Sequence, residues 1–391
     1  MTARIVSIGT AVPPTRLPQA HVRDLFASQP GIDRLTMRRI TAAFDAAQID
    51  SRYTVLAELG EAASGAVPDR GPTDAAFLDA AGTLLHPLTG ARNDLYARFA
   101  PPLYAEAARR ALADADVEAS AVTHVVTVSC TGFFAPGPDY RLVRDLGLTT
   151  TVERYHLGFI GCAAALPAVR MAEHICRAQP RAVVLVVCVE LCSLHIRASQ
   201  DPQQIVAASV FADGAAAAVV TADPAVGTAG GLELERFATT VTSEGETDMV
   251  WTIGDNGFEM TLTPQVPRII GREIGEAVRS FLGGAPTPGA WAVHPGGRSV
   301  LDRVESGLAL PPEAIDASRR VLREYGNMSS ATVLFILREL LRDDTIADGD
   351  AIAAIAFGPG LTVESALLTK RAVAAAPTAV RERAGLAMAD A

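Results

Sequence analysis

One order of segments occurs twice along this chain, and that repetition limits the folds open to it. In the first half, a stretch of helical spacing (93–115) leads into THVVTVSC, a β-branched run with the character of a buried strand. A Gly/Pro loop, CTGFFAPGPDY, and a short helix, YRLVRDLGL, follow. Gly158 and Gly161 then break the chain, and an Ala-rich helix begins near Cys162. RAVVLVVCVEL is a second buried strand, and SVFADGAAAAVVTA holds a glycine turn and a third. The second half runs in the same order. A helix over 266–282 precedes AWAVHP and a glycine turn; another helix follows, EYGNMSS opens a third, and AIAAIAFGPGLTVESALL is strand, turn, strand. The layout repeats but the letters do not. Helices alternating with buried strands predict a layered α/β architecture with helices on both sheet faces. The boundary is expected in the Gly/Pro-punctuated stretch 221–231, which divides the chain into 1–225 and 226–391. Ahead of the repeat stand a strand at 4–8, a basic helical stretch and an irregular excursion over 61–90.

Composition narrows the function classes. The 391 residues are 49% hydrophobic and 20% charged, enough apolar material to exclude a disordered chain. A net charge of −10 argues against a general nucleic-acid binder but leaves room for a local arginine cluster that steers an anion. There is no long uncharged apolar run for a membrane span, and the start, MTARIVSIGTAVPP, lacks signal-peptide character, so the expectation is a cytoplasmic protein. The five cysteines are odd in number and lack metal-ligand spacing, so neither a disulfide framework nor a metal site is expected.

Three residues at turns are candidates for chemistry. Cys162 lies between a glycine turn and a helix start, where helix N–H groups favour a thiolate. His294, in WAVHPGG, ends a short strand on a glycine loop, where an imidazole can face a cavity and pair with a thiolate. Asn327, in YGNMSSATVLF, precedes a helix and can aim its amide NH₂ at an oxyanion. Taken singly, each has a plainer reading: a buried cysteine, a turn histidine, a helix cap. Together they sit at strand-following turns, where α/β active sites form.

GFIGCAAALPAVRMA, VHPGG, YGNMSSATVLF and AFGPGLTVE, in this order, resemble the type III polyketide synthases, the chalcone-synthase-like group of the thiolase superfamily. The resemblance runs from about Arg4 to Leu368. It implies a thiolase-like fold with duplicated αβαβα layers, a homodimer, and no metal or prosthetic group. It makes Cys162 the acyl-accepting nucleophile, with His294 and Asn327 completing a triad. Phe211, in SVFADGAAAA, matches a gatekeeper between a CoA tunnel and the cavity. Acyl-CoA and malonyl-CoA are the implied substrates, with Arg38, Arg39 and Arg52 as candidates for the CoA phosphates.

The pocket positions depart from the plant enzymes. Cys130 and Thr131 stand where those have a threonine–serine pair, and His195 where a threonine limits the cavity. Trp251 falls where they have a small glycine, Met260 replaces a second gatekeeper phenylalanine, and Ser329 completes the set. The surrounding stretches look most like bacterial alkylresorcinol and alkylpyrone synthases, which take a fatty acyl starter. Tetrahydroxynaphthalene synthases share a cysteine at the Cys130 position and rank second. A single-condensation ketoacyl synthase III and a non-catalytic thiolase-fold subunit are the readings from other classes. Cys176, Cys188 and Cys192 are expected to be core residues.

Overall fold

The computed structural model describes residues 2–61, 76–226 and 230–372. Strand β1 (Arg4–Ala11) precedes a two-stranded ribbon, β2 (Thr15–Pro18) with β3 (Ser51–Thr54), which encloses helices α1 (Gln19–Ala27) and α2 (Arg34–Ala46). After α3 (Ala57–Glu61) come α4 (Thr89–Asp114), β4 (His124–Ser129), α5 (Pro138–Leu146) and β5 (Glu153–Gly158). Then follow α6 (Ala165–Ala178), β6 (Val183–Leu191), α7 (Pro202–Val210) and β7 (Asp213–Thr221). The second half holds β8 (Gly231–Val241), the hairpin β9 (Met249–Gly254) and β10 (Gly257–Leu262), α8 (Val266–Leu282), β11 (Ala290–Val293) and α9 (Arg298–Leu308). It closes with α10 (Asp316–Tyr325), α11 (Thr332–Arg342), β12 (Ala351–Gly358) and β13 (Thr362–Arg371). The excursion at 61–90, the boundary stretch and the end of the second half lie partly outside the described residues.

Nine strands hydrogen-bond in the order β11-β12-β13-β8-β1-β7-β6-β4-β5. The antiparallel contact of β1 with β8 (Arg4 against Glu233, Ile5 against Leu232) is the centre of the duplication. Outward from β1, β7 and β6 follow antiparallel and β4 parallel; outward from β8, β13 and β12 follow antiparallel and β11 parallel. Among the described residues, the edge strand β5 has no counterpart in the second half.

The period of two along each strand explains the layering. In β6, Val184, Val186 and Cys188 enter a central core with α6 and α11, while Val183, Leu185 and Val187 enter an outer core with α4. In β12, Ile352, Ala354 and Ala356 enter the same central core, while Ala353, Ile355 and Phe357 pack on α8 and α9. Helix, sheet, helix, sheet, helix is therefore the thiolase-like arrangement. Alanine-rich strand faces, as in β7, let the central helices approach closely. Among the described residues, no helix is long and apolar enough to cross a membrane.

The duplication places the chemistry. Cys130 follows β4 and His294 follows β11; Cys162 precedes α6 and Asn327 precedes α11.

Candidate active site

Cys162 sits in a tight 3-10 turn (Gly161–Ala163) ahead of α6 and is half-buried. The turn depends on Gly161, whose φ is +74° and whose added Cβ would lie 2.4 Å from Pro359 Cδ. That contact seats the cysteine turn of the first half against the Gly-Pro-Gly turn of the second. The expectation of a lowered thiol pKa is corrected here. Burial pushes the Cys162 thiol up to about 12, opposed by hydrogen bonding from Ser329 and, further down the order, Asn327.

His294 is 1% exposed, and its backbone N–H donates to Ile355 O at 2.8 Å. Neither ring nitrogen has a hydrogen-bond partner. Burial lowers its pKa to about 3, so the imidazole is neutral. Burial thus favours the uncharged form of both the thiol and the imidazole. An unpaired buried imidazole costs roughly 1–3 kcal/mol and marks a site awaiting a partner.

Asn327 is 1% exposed and is fixed from both sides. Its N–H donates to Val210 O and its carbonyl accepts from Ala212 N–H, both at 2.9 Å, so the two bonds bracket Phe211. Its Oδ1 accepts from Ser329 N–H at 2.9 Å, which leaves the amide NH₂ to hydrogen-bond the Cys162 thiol.

Two cavities meet at Cys162, Phe211, Met249 and Met260. The outer one is a channel of about 820 Å³ whose lining includes Cys162, His294 and Asn327. The inner one is a recess of about 60 Å³. Phe211, Cys130, Thr131, His195, Trp251, Met260 and Ser329, all singled out from sequence, line the recess. Sequence reading missed Cys192, Met249 and Phe258 on the same wall. Cys192 is buried, as expected of a core residue, and also lines the recess, a second role that no local pattern marks.

The recess wall is tightly pinned. Trp251 Nε1 donates to Cys130 O at 2.6 Å. His195 Nδ1 accepts from Phe258 N–H at 3.0 Å and Nε2 donates to Thr131 O at 2.7 Å, which fixes one neutral tautomer. Burial lowers the His195 pKa to about 3. The ring stacks on Phe258 with centroids 4.2 Å apart and meets Trp251 edge-on.

Glu190 lies beneath this wall, fully buried, and was not singled out from sequence. It accepts from Thr131 Oγ1 at 2.8 Å, Cys130 N–H at 3.0 Å and Ser330 Oγ at 2.5 Å. Burial raises its pKa and these donors oppose the rise. A carboxylate at the end of the apolar run VVLVVCVEL was the available signal.

Arg52 is not a phosphate contact. It is 5% exposed, and its guanidinium donates to Gln19 Oε1, Ala208 O, Ser209 O and Phe211 O. It caps the C-terminal carbonyls of α7, a position where a cation is favoured. Burial lowers its pKa to about 9. Arg38 and Arg39 are exposed on α2 but do not line the channel, whereas Ala43, Ala46 and Ala47 at that helix's end do. Arg268, Arg298 and Arg303 line it instead.

Comparisons with known proteins bear on the chain as a whole. The family model for chalcone and stilbene synthases, N-terminal domain, matches residues 1–224, and that for the C-terminal domain matches 233–372. A bisdemethoxycurcumin synthase of Oryza sativa subsp. japonica is 33% identical over 386 residues, 94% of this chain and 92% of that protein. A probable polyketide synthase 1 of Dictyostelium discoideum is 33% identical over 285 residues; these are 71% of this chain and 9% of that much longer protein. The crystal structure of PKS-I from the brown alga Ectocarpus siliculosus superposes with a TM-score of 0.86 at 29% identity, covering 94% of this chain and 98% of that one. The chain belongs to the chalcone and stilbene synthase family, and is a type III polyketide synthase, an acyl-transferring condensing enzyme.

Proposed function

We propose that this enzyme loads an acyl-CoA starter on Cys162, extends it with malonyl-CoA-type units and closes the product to an alkylresorcinol or alkylpyrone. The observation that carries the assignment of roles is the unpaired, buried His294 imidazole, which opens on the same channel as Cys162 and Asn327. As Cys162 Sγ attacks the thioester carbonyl, its proton passes to His294. The C–S bond to CoA breaks, and CoA leaves as its thiol with that proton. The malonyl thioester then loses CO₂, and the electrons of the broken C–C bond form an enolate. Donors from Asn327 and His294 stabilise its oxygen in a site screened from water. The enolate carbon attacks the acyl–Cys162 carbonyl, and Cys162 departs as thiolate, ready to receive the extended chain.

The apolar recess favours a hydrocarbon starter such as a fatty acyl group, with its length limited by His195, Trp251 and Phe258. A malonyl-primed tetrahydroxynaphthalene-type reaction is the second reading, favoured by the small recess volume of about 60 Å³ and by Cys130 on its wall. The enzyme acts as a homodimer in this reading. Mass analysis of products from labelled malonyl-CoA with acyl-CoA starters of increasing length decides between these. Triketide or tetraketide pyrones or resorcinols carrying the starter support the first reading. Products from malonyl-CoA alone support the second, and a single β-ketoacyl product refutes both.

A further inference from the structure

The channel to Cys162 has two unlike walls. Helix α2 presents only alanines to it (Ala43, Ala46 and Ala47), with Arg38 and Arg39 outside its lining. A second part of the lining, from α8 and α9, carries Arg268, Arg298 and Arg303. Resting on the function proposed above, we infer that this second wall anchors the phosphates of the thioester's carrier arm, through Arg268, Arg303 and Arg298.

The charges on this wall are available. Among the described residues, no ion pair or hydrogen bond engages the guanidinium of Arg268 or Arg303, and both residues are exposed. Arg298 pairs with Asp302 at 3.3 Å, and Arg319 takes the same carboxylate at 2.9 Å. The other carboxylate of the lining, Asp201, accepts from Gln203 N–H at 2.8 Å and caps α7. Two arginines therefore stand uncompensated at the channel.

Arg303 is also held in place. A Cβ on Gly271 of α8 would lie 3.2 Å from Arg303 Cδ, so the arginine stem rests in the space that glycine leaves. The stem is confined while the guanidinium stays in solvent, which reduces the entropy lost on binding an anion. The chain carries a net charge of −10, so a polyanionic substrate needs such a local field to approach. Guanidinium groups suit phosphate through bidentate bonding. The ligand chemistry is a phosphorylated pantetheine thioester, which both CoA and a carrier protein's prosthetic arm supply.

Steady-state kinetics of the R268A/R303A double variant test this, beside R38A/R39A and wild type. Three donors are used: malonyl-CoA, malonyl carrier protein, and the malonyl thioester of N-acetylcysteamine, which has no phosphate. The double variant is expected to lose roughly 10- to 100-fold in kcat/KM with malonyl-CoA at low salt, chiefly through KM. The loss should shrink as salt rises and fall below about threefold with the phosphate-free donor. An equal loss with malonyl carrier protein assigns the phosphate common to both arms; a loss confined to malonyl-CoA assigns its nucleotide phosphates. A loss carried by R38A/R39A instead, or equal on the phosphate-free donor, overturns the placement. Wild type inactive with every donor overturns the functional reading, and this placement with it.

Discussion

At Cys162 the helix terminus and burial pull in opposite directions, and burial wins. The thiol is pushed up to about 12 because an anion in an apolar cleft loses its hydration, and hydrogen bonding from Ser329 and Asn327 offsets only part of that. Burial lowers the His294 pKa to about 3 for the same reason, so in the proposed mechanism the nucleophile forms as the proton moves during attack. Alkylation of the free enzyme by iodoacetamide should therefore accelerate with pH from about 6 to about 9 without levelling, because the thiolate fraction grows throughout. A plateau reached below about pH 7 would show a standing thiolate–imidazolium pair and contradict this description. Cys162, His294 and Asn327 stood out in the sequence because a glycine turn adjoins each, although Asn327 follows the charged helix α10 and not, as expected, a strand. Glu190, Cys192 and Phe258 were not singled out, since their neighbourhood is made by segments far apart in the chain.

The elements around the site are tied by a few buried polar groups. Arg52 of β3 fastens the end of α7 and the carbonyl of Phe211, while Asn327 brackets the same residue from the other side. Phe211 thus owes its position to two distant segments. Arg52→Met would leave those carbonyls and Gln19 without a donor. We predict a loss of about 3–5 kcal/mol in unfolding free energy, read by urea denaturation. The unchanged stability expected of a solvent-facing phosphate ligand would contradict it. From sequence, Arg52 was indistinguishable from Arg38 and Arg39, because a basic residue carries no mark of which way a short ribbon turns it. Helices were read more reliably: 266–282 coincides with α8, whereas the half-exposed β5 and the hairpin β9–β10 gave no buried apolar run to read.

Across the whole molecule, the two halves supply unlike parts to one centre. The first gives Cys162 and the recess residues Cys130, Thr131 and His195; the second gives His294, Asn327, Trp251 and the arginine wall. The duplication was visible in the order of segments, but its meeting line at β1 and β8 required the register. Among the described residues, β5 is the sheet strand without a counterpart and ends the sheet with an open edge. Phe133, Tyr140, Phe159 and Ile160 stand exposed near it, at 49%, 41%, 39% and 37%. An open edge with apolar flanks favours pairing with a second copy. Sedimentation should give a dimer that F159E converts to monomer; a wild-type monomer at micromolar concentration would refute this assembly.

Cys162 is the residue proposed to carry the growing chain. Mass spectrometry of the protein after incubation with an acyl-CoA, without extender, tests that directly. One acyl group should appear on the peptide containing Cys162 and be absent from C162A. An adduct that persists in C162A, or that maps to Cys130 or Cys192, would contradict it.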